Sequence, residues 1–247
     1  MRAKTLAASI AEAIASTVTG LSHFTLLFSG GLDSSLISWV LKKAGHRPAL
    51  LTVSLPGGPD ASAAESSAIL MGLECRPLLL TIDEVTKVAQ DLRGRLPHTT
   101  LNDLAVQTSM ALAVSHSDEK VVLCGQGADE LFIGYAHSRD LAGDALRERA
   151  EADLKKLIET DWPITVDIAR SLGKEVRAPY LNPALMERTR GIPWDDRRHG
   201  GDSKWLLRQA ARELSLPEEL VNRPKKAFQY GNGIYKVLRR EKPFSAR

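Results

Sequence analysis

The sequence predicts an α/β protein, with a doubly wound parallel sheet of about five strands and a helical C-terminal subdomain. Short apolar runs alternate with amphipathic helical patterns through the first half of the chain, which is typical of parallel strands joined by right-handed crossovers. A glycine-rich turn follows the first apolar run, and the pattern becomes almost wholly helical after Tyr135. We therefore expect an N-terminal helix over residues 1–20, an α/β domain over 21–135 and the helical subdomain over 136–247.

The individual elements follow from the spacing of the apolar residues. Apolar residues at helical spacing open the chain, and Gly20 is expected to end this first helix. Four apolar runs are continuous enough to be strands buried on both faces, and they are 24–28, 49–55, 75–80 and 120–124. Helical spacing predicts helices over 34–43, 61–71, 82–92, 101–114, 141–159, 164–172, 184–189, 204–214 and 234–240.

The composition is that of a globular protein with an uneven charge distribution. The 247 residues are 43% hydrophobic, which is enough for a substantial core, and the net charge is +3. Residues 197–247 contain 13 Lys and Arg against 5 Asp and Glu. Such a basic segment could serve ATP, pyrophosphate or an RNA backbone, or it could be a solvated face.

The cysteines and the N-terminus bear on the compartment. Cys75 and Cys124 provide no zinc spacing and no disulfide framework, and both lie in apolar runs where a free cysteine is usually a small buried hydrophobe. Residues 1–18 are too short and too polar for a membrane span and lack the layout of a signal peptide. We expect a cytoplasmic protein without membrane contact.

The stretch LLFSGGLDSS at 26–35 is the strongest functional signal. Its glycines let the backbone approach a ligand closely, and the free N–H groups at the start of the following helix favour an anion such as pyrophosphate. A tight turn with capping serines is the alternative, but the complete SGGxDSS pattern after an apolar strand favours nucleotide binding. The predicted phosphate-binding residues are Ser29, Gly30, Gly31, Leu32, Asp33, Ser34 and Ser35.

A second loop, 125–130, follows the fourth predicted strand and contains a further carboxylate. If the first and fourth strands are neighbours at the switch point of the sheet, both loops border one crevice. Asp33 and Asp129 would then hold Mg²⁺, which bridges phosphate oxygens and neutralises their charge. Each aspartate could instead cap the helix that follows it, and the two roles are compatible. The chain has no GxxxxGK[ST] sequence, which excludes a Walker A phosphate loop.

Several stretches, in this order along the chain, resemble one protein family. Residues 29–35 are similar to the pyrophosphatase loop of enzymes that split ATP into AMP and pyrophosphate. The further blocks resemble the synthetase domain of glutamine-hydrolysing asparagine synthetases and of their relative β-lactam synthetase. These blocks are VSLPGGPD at 53–60, LCGQGADELFIGY at 123–135 (similar to LSGEGxDExFGGY), EVRAPYLN at 175–182 (ExRxPFLD), KWLLR at 204–208 (KxxLR) and RPKKAF at 223–228 (RxKxxF).

The resemblance implies a fold like that of the adenine-nucleotide α-hydrolases and a reaction in two steps. In the family a carboxylate attacks the α-phosphorus of ATP to give an acyl-adenylate, and an amine then displaces AMP. By this resemblance residues 29–35 would hold pyrophosphate, and Asp33 with Asp129 would hold Mg²⁺. The backbone and side chains of Leu27, Val53 and Gly125 would line the adenosine pocket.

The resemblance also assigns roles to cations. Lys225 would stabilise the charge that builds on the α-phosphate, as a compact point charge can. Lys204 and Arg208 are further candidates, because residues four apart share one face of a helix. We expect Arg177, in the ExRxP block, to organise the fold around an ion pair.

The chain departs from the family's pattern at three points. The family's N-terminal glutaminase domain, with a cysteine nucleophile after the initiator methionine, does not fit a chain that begins Met1-Arg2. We therefore expect free ammonia, a separate glutaminase or another nucleophile as the source of the amine. Gln126 stands where asparagine synthetases have a glutamate that serves as base in amide formation, and a glutamine takes up no proton at neutral pH. Asn182 replaces a further carboxylate.

Three functions stay open from the sequence. The first is an ATP-dependent, AMP-forming ligase that joins a carboxylate, aspartate or similar, to ammonia or another amine. The second is a tRNA-modifying enzyme that adenylates a base oxygen, which the basic C-terminal segment favours and the ExRxP and RxKxxF blocks do not. The third is a nucleotide-binding subunit without turnover, which the loss at Gln126 favours. The oligomeric state, a homo-oligomer included, is left open.

Overall fold

A five-stranded parallel sheet lies at the centre of the computed structural model, which describes residues 2–96, 99–200, 202–223, 231–241 and 244. The strands are β1 (Thr25–Leu27), β2 (Ala49–Ser54), β3 (Cys75–Leu79), β4 (Val121–Leu123) and β5 (Glu175–Arg177), in the spatial order β3-β2-β1-β4-β5. All four pairings are parallel. The strand order changes direction between β1 and β4, so their carboxyl ends border the switch-point crevice. The predicted fold class is confirmed.

Twelve α-helices are assigned within the described residues. They are α1 (Arg2–Thr17), α2 (Leu32–Lys43), α3 (Pro59–Leu70), α4 (Ile82–Arg95), α5 (Leu101–Ser115), α6 (Ala128–Phe132), α7 (Gly143–Lys156), α8 (Trp162–Ser171), α9 (Pro183–Arg190), α10 (Trp205–Glu213), α11 (Glu218–Val221) and α12 (Ile234–Arg240). A π-helical turn, Leu157–Asp161, joins α7 to α8, and short 3₁₀ turns lie at Ala136–Ser138, Pro179–Leu181 and Asp195–Arg197.

The sheet is covered on both faces, as a doubly wound fold requires. Successive strand residues point to opposite sides, so Leu26 packs on one face and Leu27 on the other. The first face is buried by α1, α2, α3, α9, α10 and α11, and the second by α4, α5, α8 and α12. Each leucine buried in these layers stabilises the fold by about 1.5–3 kcal/mol.

The fifth strand comes from the region that the sequence pattern predicted as helical. Of the three residues of β5 only Val176 is apolar, so the strand carries no apolar run. Arg177 at its end pairs through Nε with Glu175 Oε1 at 2.7 Å, and one Nη donates to the carbonyl of Thr17 at 2.7 Å. The expected ion pair is therefore present, and the same side chain ties β5 to the end of α1. The domain boundaries after residues 20 and 135 remain predictions.

The predictions about cysteines can also be compared with the structure. Both thiols are free, and Cys124 is buried while Cys75 is half-buried. Over the part of the chain that the structure describes, no helix combines the length and the apolar character that crossing a bilayer requires.

Candidate active site

The loop between β1 and α2 has the donors that an anion needs. Gly31 precedes α2 and caps it without a side-chain hydrogen bond, so the first N–H groups of the helix are left for another acceptor. The hydroxyls of Ser29 and Ser34 lie 3.4 Å apart in the same loop. These donors, together with the positive end of the helix dipole, favour a phosphate group.

Gly30 is required at this turn for two reasons. Its φ of +69° is a conformation that side chains disfavour, and an added Cβ would lie 2.7 Å from the carbonyl oxygen of Ala63 and 2.9 Å from Ala64 Cα. Its carbonyl accepts a hydrogen bond from Ser67 Oγ at 3.0 Å. The phosphate loop is thereby held directly against α3.

The second loop, 125–130, contacts the phosphate loop as predicted. A Cβ added to Gly125 would lie 3.3 Å from Asp33 Cβ, so the two loops approach closely where β1 and β4 end. The two predicted metal ligands, Asp33 and Asp129, are brought to one place by this contact and by Lys204.

Lys204 joins the two aspartates. Its Nζ lies 2.6 Å from Asp33 Oδ2 and 2.7 Å from Asp129 Oδ1, and its side chain is only 3% exposed. Burial alone would lower the pKa of Lys204, but the charges of Asp129 and Asp33 and their hydrogen bonds raise it above its ordinary value. The residue precedes α10 with a φ of 55°, and its N–H donates to the Ile133 carbonyl at 3.4 Å. A Cβ on Gly134 would overlap Asp129 Oδ1 and Lys204 Cε, so this glycine leaves the room that the pairing needs.

The alternative that the aspartates are helix caps is not supported. The N-cap residues are Gly31 for α2 and Gly127 for α6, and both aspartates lie inside the first helical turn. Asp33 Oδ1 is buried and has no hydrogen-bond partner among the described residues. Since buried polar atoms normally have partners, this oxygen is suited to a cation.

The donor set fits magnesium that is shared with a nucleotide. No three His, Cys, Asp or Glu side chains come together as a metal cluster within the described ranges. Mg²⁺ is usually held by one or two carboxylates, and phosphate oxygens and water complete its shell. Asp33 and Asp129 match that requirement.

A cleft of about 830 Å³ contains most of the predicted site. The predicted residues that line it are Leu27, Ser29, Gly31, Leu32, Asp33, Ser34, Gly125, Gln126, Asp129, Lys204 and Arg208. Gly30 and Ser35 are buried outside its surface. Val53 is fully buried in the core, so a contact with adenosine there would have to use its backbone. Lys225 lies outside the described residues, and Arg223, two positions earlier in the chain, lines the cleft.

A second wall of the cleft was missed by the sequence analysis. It is formed by the start of α5, by α7 and by the π-helical turn. Lys156 Nζ pairs there with Asp103 Oδ1 at 3.0 Å and with Asp161 Oδ2 at 2.7 Å. The buried Gln107 holds the turn in place, because its Nε2 donates to the Asp161 carbonyl at 3.1 Å. These residues belong to helical stretches that carry no motif, so the sequence offered no signal for them.

Glu130, next to Asp129, is buried and bonded to the half-buried Tyr135. The tyrosine hydroxyl donates to Glu130 Oε1 at 2.6 Å, and Glu130 is 7% exposed. Burial, and after it the charge of Asp129, raises the pKa of Glu130 from 4.5 to about 7. The folded protein therefore binds a proton on Glu130 more readily than the unfolded chain does.

We expect the free energy of unfolding of the wild type to fall between acid and neutral pH, and we expect this fall to be absent in Glu130→Gln. Because the folded pKa is raised, the free energy of unfolding falls as pH rises from 4.5 through about 7, by about 3 kcal/mol for a shift of this size. Urea unfolding at pH 5, 6, 7 and 8 measures the effect. Glu148→Gln, at an exposed position on α7, is the control and should keep the wild-type slope. If the free energy of unfolding of Glu130→Gln depended on pH as that of the wild type does, the raised pKa of Glu130 would be contradicted.

Comparison with known proteins bears on the same loops. The family model described as asparagine synthase matches residues 5–170 and 138–242, and so covers nearly the whole chain. The chain belongs to the asparagine synthase family. Asparagine synthetase B (glutamine-hydrolysing) of Escherichia coli strain K12 is 28% identical over 235 residues, which cover 85% of this chain and 41% of that protein. Asparagine synthetase (glutamine-hydrolysing) 2 of Lotus japonicus is 27% identical over 231 residues, covering 85% and 39% respectively.

The length of the match limits what the relatives say about this chain. The chain spans half or less of the length of the curated relatives it matches. Among solved structures, an NMN synthetase from Francisella tularensis is similar with a TM-score of 0.47 and 12% identity, covering 92% of this chain and 75% of that one. The fold assignment rests on the strand order of the chain itself.

Two departures from the asparagine synthetase pattern can now be placed. Gln126 lines the cleft, and its Oε1 lies 3.6 Å from the buried Cys124 Sγ. Asn182 caps α9, because its Oδ1 accepts from the N–H groups of Ala184 and Leu185 at 2.9 and 3.4 Å. Asparagine and aspartate cap helices about equally well, so the change at 182 keeps the local structure. The change at 126 places a neutral amide on the surface of the cleft.

Arg208 has a structural role in this family member. Its guanidinium donates to the backbone carbonyls of Ser203 at 3.0 Å, of Val221, and of Arg223 at 3.4 Å. Arg223 in turn donates to Ser67, the residue that binds the Gly30 carbonyl. The segment that enters the RxKxxF block is thereby tied to α10 and to the phosphate loop.

Proposed function

We propose that this chain is the synthetase part of an ATP-dependent ligase that forms AMP and pyrophosphate. It activates a carboxylate, aspartate or similar, for attack by ammonia or another amine. The observation that carries the proposal is the convergence of Asp33 and Asp129 beside the phosphate loop, with the buried Oδ1 of Asp33 left for a cation. Membership of the asparagine synthase family supports the class of reaction.

Each element of the loop has a task in this proposal. The N–H groups at the start of α2, with the hydroxyls of Ser29 and Ser34, hold the phosphates that leave as pyrophosphate. Asp33 and Asp129 hold magnesium, which neutralises charge on the phosphate oxygens when it is bound. The acyl-adenylate then forms when the carboxylate oxygen bonds to the α-phosphorus and the bond to pyrophosphate breaks.

The three predicted cations are not equivalent. Lys204 is paired with two carboxylates, and Arg208 is bound to backbone carbonyls. Lys225 is thus the cation that we assign to the α-phosphate, and its neighbour Arg223 lines the cleft. A positioned cation at the site of developing charge stabilises the transition state.

A pyrophosphate-release screen tests the proposal. The full chain is incubated with ATP, Mg²⁺ and a panel of amino acids and other carboxylates, with and without ammonia or RNA. Release that requires a carboxylate supports the ligase. Release that requires RNA would favour the tRNA-modifying alternative, and no release under any condition would favour a nucleotide-binding subunit.

The amine acceptor is tested by Gln126→Glu. We expect this variant to raise ammonia-dependent amide formation at least about 10²-fold, because a carboxylate at this position can act as a general base and an amide cannot. Amide product is measured with aspartate as the first carboxylate, alongside pyrophosphate release. Gln126→Asn, which stays neutral, is the control and should show no gain. Equal amide formation by Gln126→Glu and Gln126→Asn would show that a general base at position 126 does not limit the reaction.

A further inference from the structure

Lys204 occupies a position where its charge acts on the proposed metal site. The ammonium donates to one oxygen of each carboxylate and offsets one of the two negative charges of Asp33 and Asp129. It is held there by its own backbone, because the N–H of Lys204 is bonded to the carbonyl of Ile133. Gly134 packs against the pair without room for a Cβ. The backbone of Lys204 is thereby anchored beside the second loop, and its ammonium lies between the two aspartates.

We infer that Lys204 excludes divalent metal from the nucleotide-free site, so that magnesium enters only together with the phosphates of ATP. The inference rests on the proposed metal role of Asp33 and Asp129. Like charges repel more strongly beside a buried group than in open solvent, and the side chain of Lys204 is buried. With one positive charge already between the carboxylates, a divalent cation meets a site of low net negative charge. The phosphates of ATP supply the further negative charge that lets both cations be present.

The inference makes metal binding and nucleotide binding mutually dependent. If ATP tightens the binding of metal by some factor, metal must tighten the binding of ATP by the same factor. Removal of the ammonium should weaken this coupling, because the two half-buried carboxylates of Asp33 and Asp129 would then attract a metal ion without help. Lys204 is in this sense a positioning residue that sets the order of binding.

The chain contains a matched control. Lys156 also lies between two aspartates, Asp103 and Asp161, at 3.0 and 2.7 Å. Its side chain is 47% exposed, whereas that of Lys204 is 3% exposed. Solvent screening at Lys156 should make the removal of its charge of little consequence for metal binding.

The test is a titration of Mn²⁺ into the full chain without nucleotide, with free Mn²⁺ followed by electron paramagnetic resonance. We expect Lys204→Met and Lys204→Gln to bind Mn²⁺ at least about tenfold more tightly than the wild type. Lys156→Met should bind as the wild type does. Adding Asp33→Asn to Lys204→Met should abolish the gain, because one of the two carboxylates is lost.

Thermal unfolding with and without Mn²⁺ gives a second readout, which also covers a variant that is poorly folded without metal. Mn²⁺ should raise the Tm of both Lys204 variants and leave that of the wild type unchanged. Tight binding of Mn²⁺ by the wild type without nucleotide would overturn the inference. So would an increase in Mn²⁺ affinity in Lys156→Met equal to that in the Lys204 variants. The proposed function fails separately if the wild type does not bind ATP in the presence of Mn²⁺, whichever result the metal titration gives.

Discussion

Asp33→Asn is expected to lower ATP-dependent pyrophosphate release by about 10²–10³-fold. The substitution keeps the size of the side chain but removes the charge that would hold magnesium against the leaving phosphates. It also replaces one of the two carboxylate oxygens, and the buried Oδ1 has no hydrogen-bond partner among the described residues, which makes this side chain suited to a cation. Lys204 keeps its bond to Asp129 in the variant, so we expect the fold to be retained.

The measurement is the initial rate of pyrophosphate release at saturating ATP, with the carboxylate that the screen identifies. Circular dichroism on the same sample confirms the fold. Asp83→Asn is the matched control, since Asp83 also lies in a first helical turn but is exposed and does not line the cleft. A rate within twofold of wild type in Asp33→Asn would contradict the metal role.

Gly30→Ala is expected to displace the phosphate loop and to lower both stability and activity. The positive φ disfavours a side chain by about 1–2 kcal/mol, and the overlap with backbone atoms of α3 costs about 1–3 kcal/mol more. Because the neighbours are Ala63 O and Ala64 Cα, the strain is relieved only by moving the loop. The rate of pyrophosphate release should then fall about 10²-fold, because small displacements of positioned groups cause losses of this size.

Gly45→Ala separates the two contributions. Gly45 also has a positive φ, +88°, but nothing lies within 4 Å of an added Cβ. Gly45→Ala should lose only the stability that a side chain at positive φ costs, and it should keep full activity. The loss of stability in both variants is measured from the midpoint of urea unfolding, provided that the dependence of the unfolding free energy on urea concentration is unchanged. Equal losses in the two variants would show that contact with α3 does not hold the phosphate loop.

The sequence predicted the sheet and the two site loops because these depend on local patterns. A continuous apolar run specifies a buried parallel strand, and the SGGxDSS stretch carries its own turn and helix start. The strand order that brings Asp33 and Asp129 together was expected only conditionally, and it depends on packing across the whole sheet.

The features that escaped prediction depend on contacts between distant segments. Lys204 was expected on a helical face shared with Arg208, yet it precedes α10 in a left-handed conformation and is buried between two aspartates. Nothing local to residues 204–208 indicates this, because its partners lie 171 and 75 positions earlier. The π-helical turn at 157–161 is likewise bonded to a distant residue, because its Asp161 carbonyl accepts from the buried Gln107 of α5.

The products formed from ATP test the central claim most directly. With the wild-type chain, Mg²⁺ and an accepted carboxylate, ³¹P nuclear magnetic resonance should show AMP and pyrophosphate accumulating in equal amounts. Omission of the carboxylate should stop their formation. Formation of ADP and inorganic phosphate instead would show that a different bond of ATP breaks, and would contradict the account.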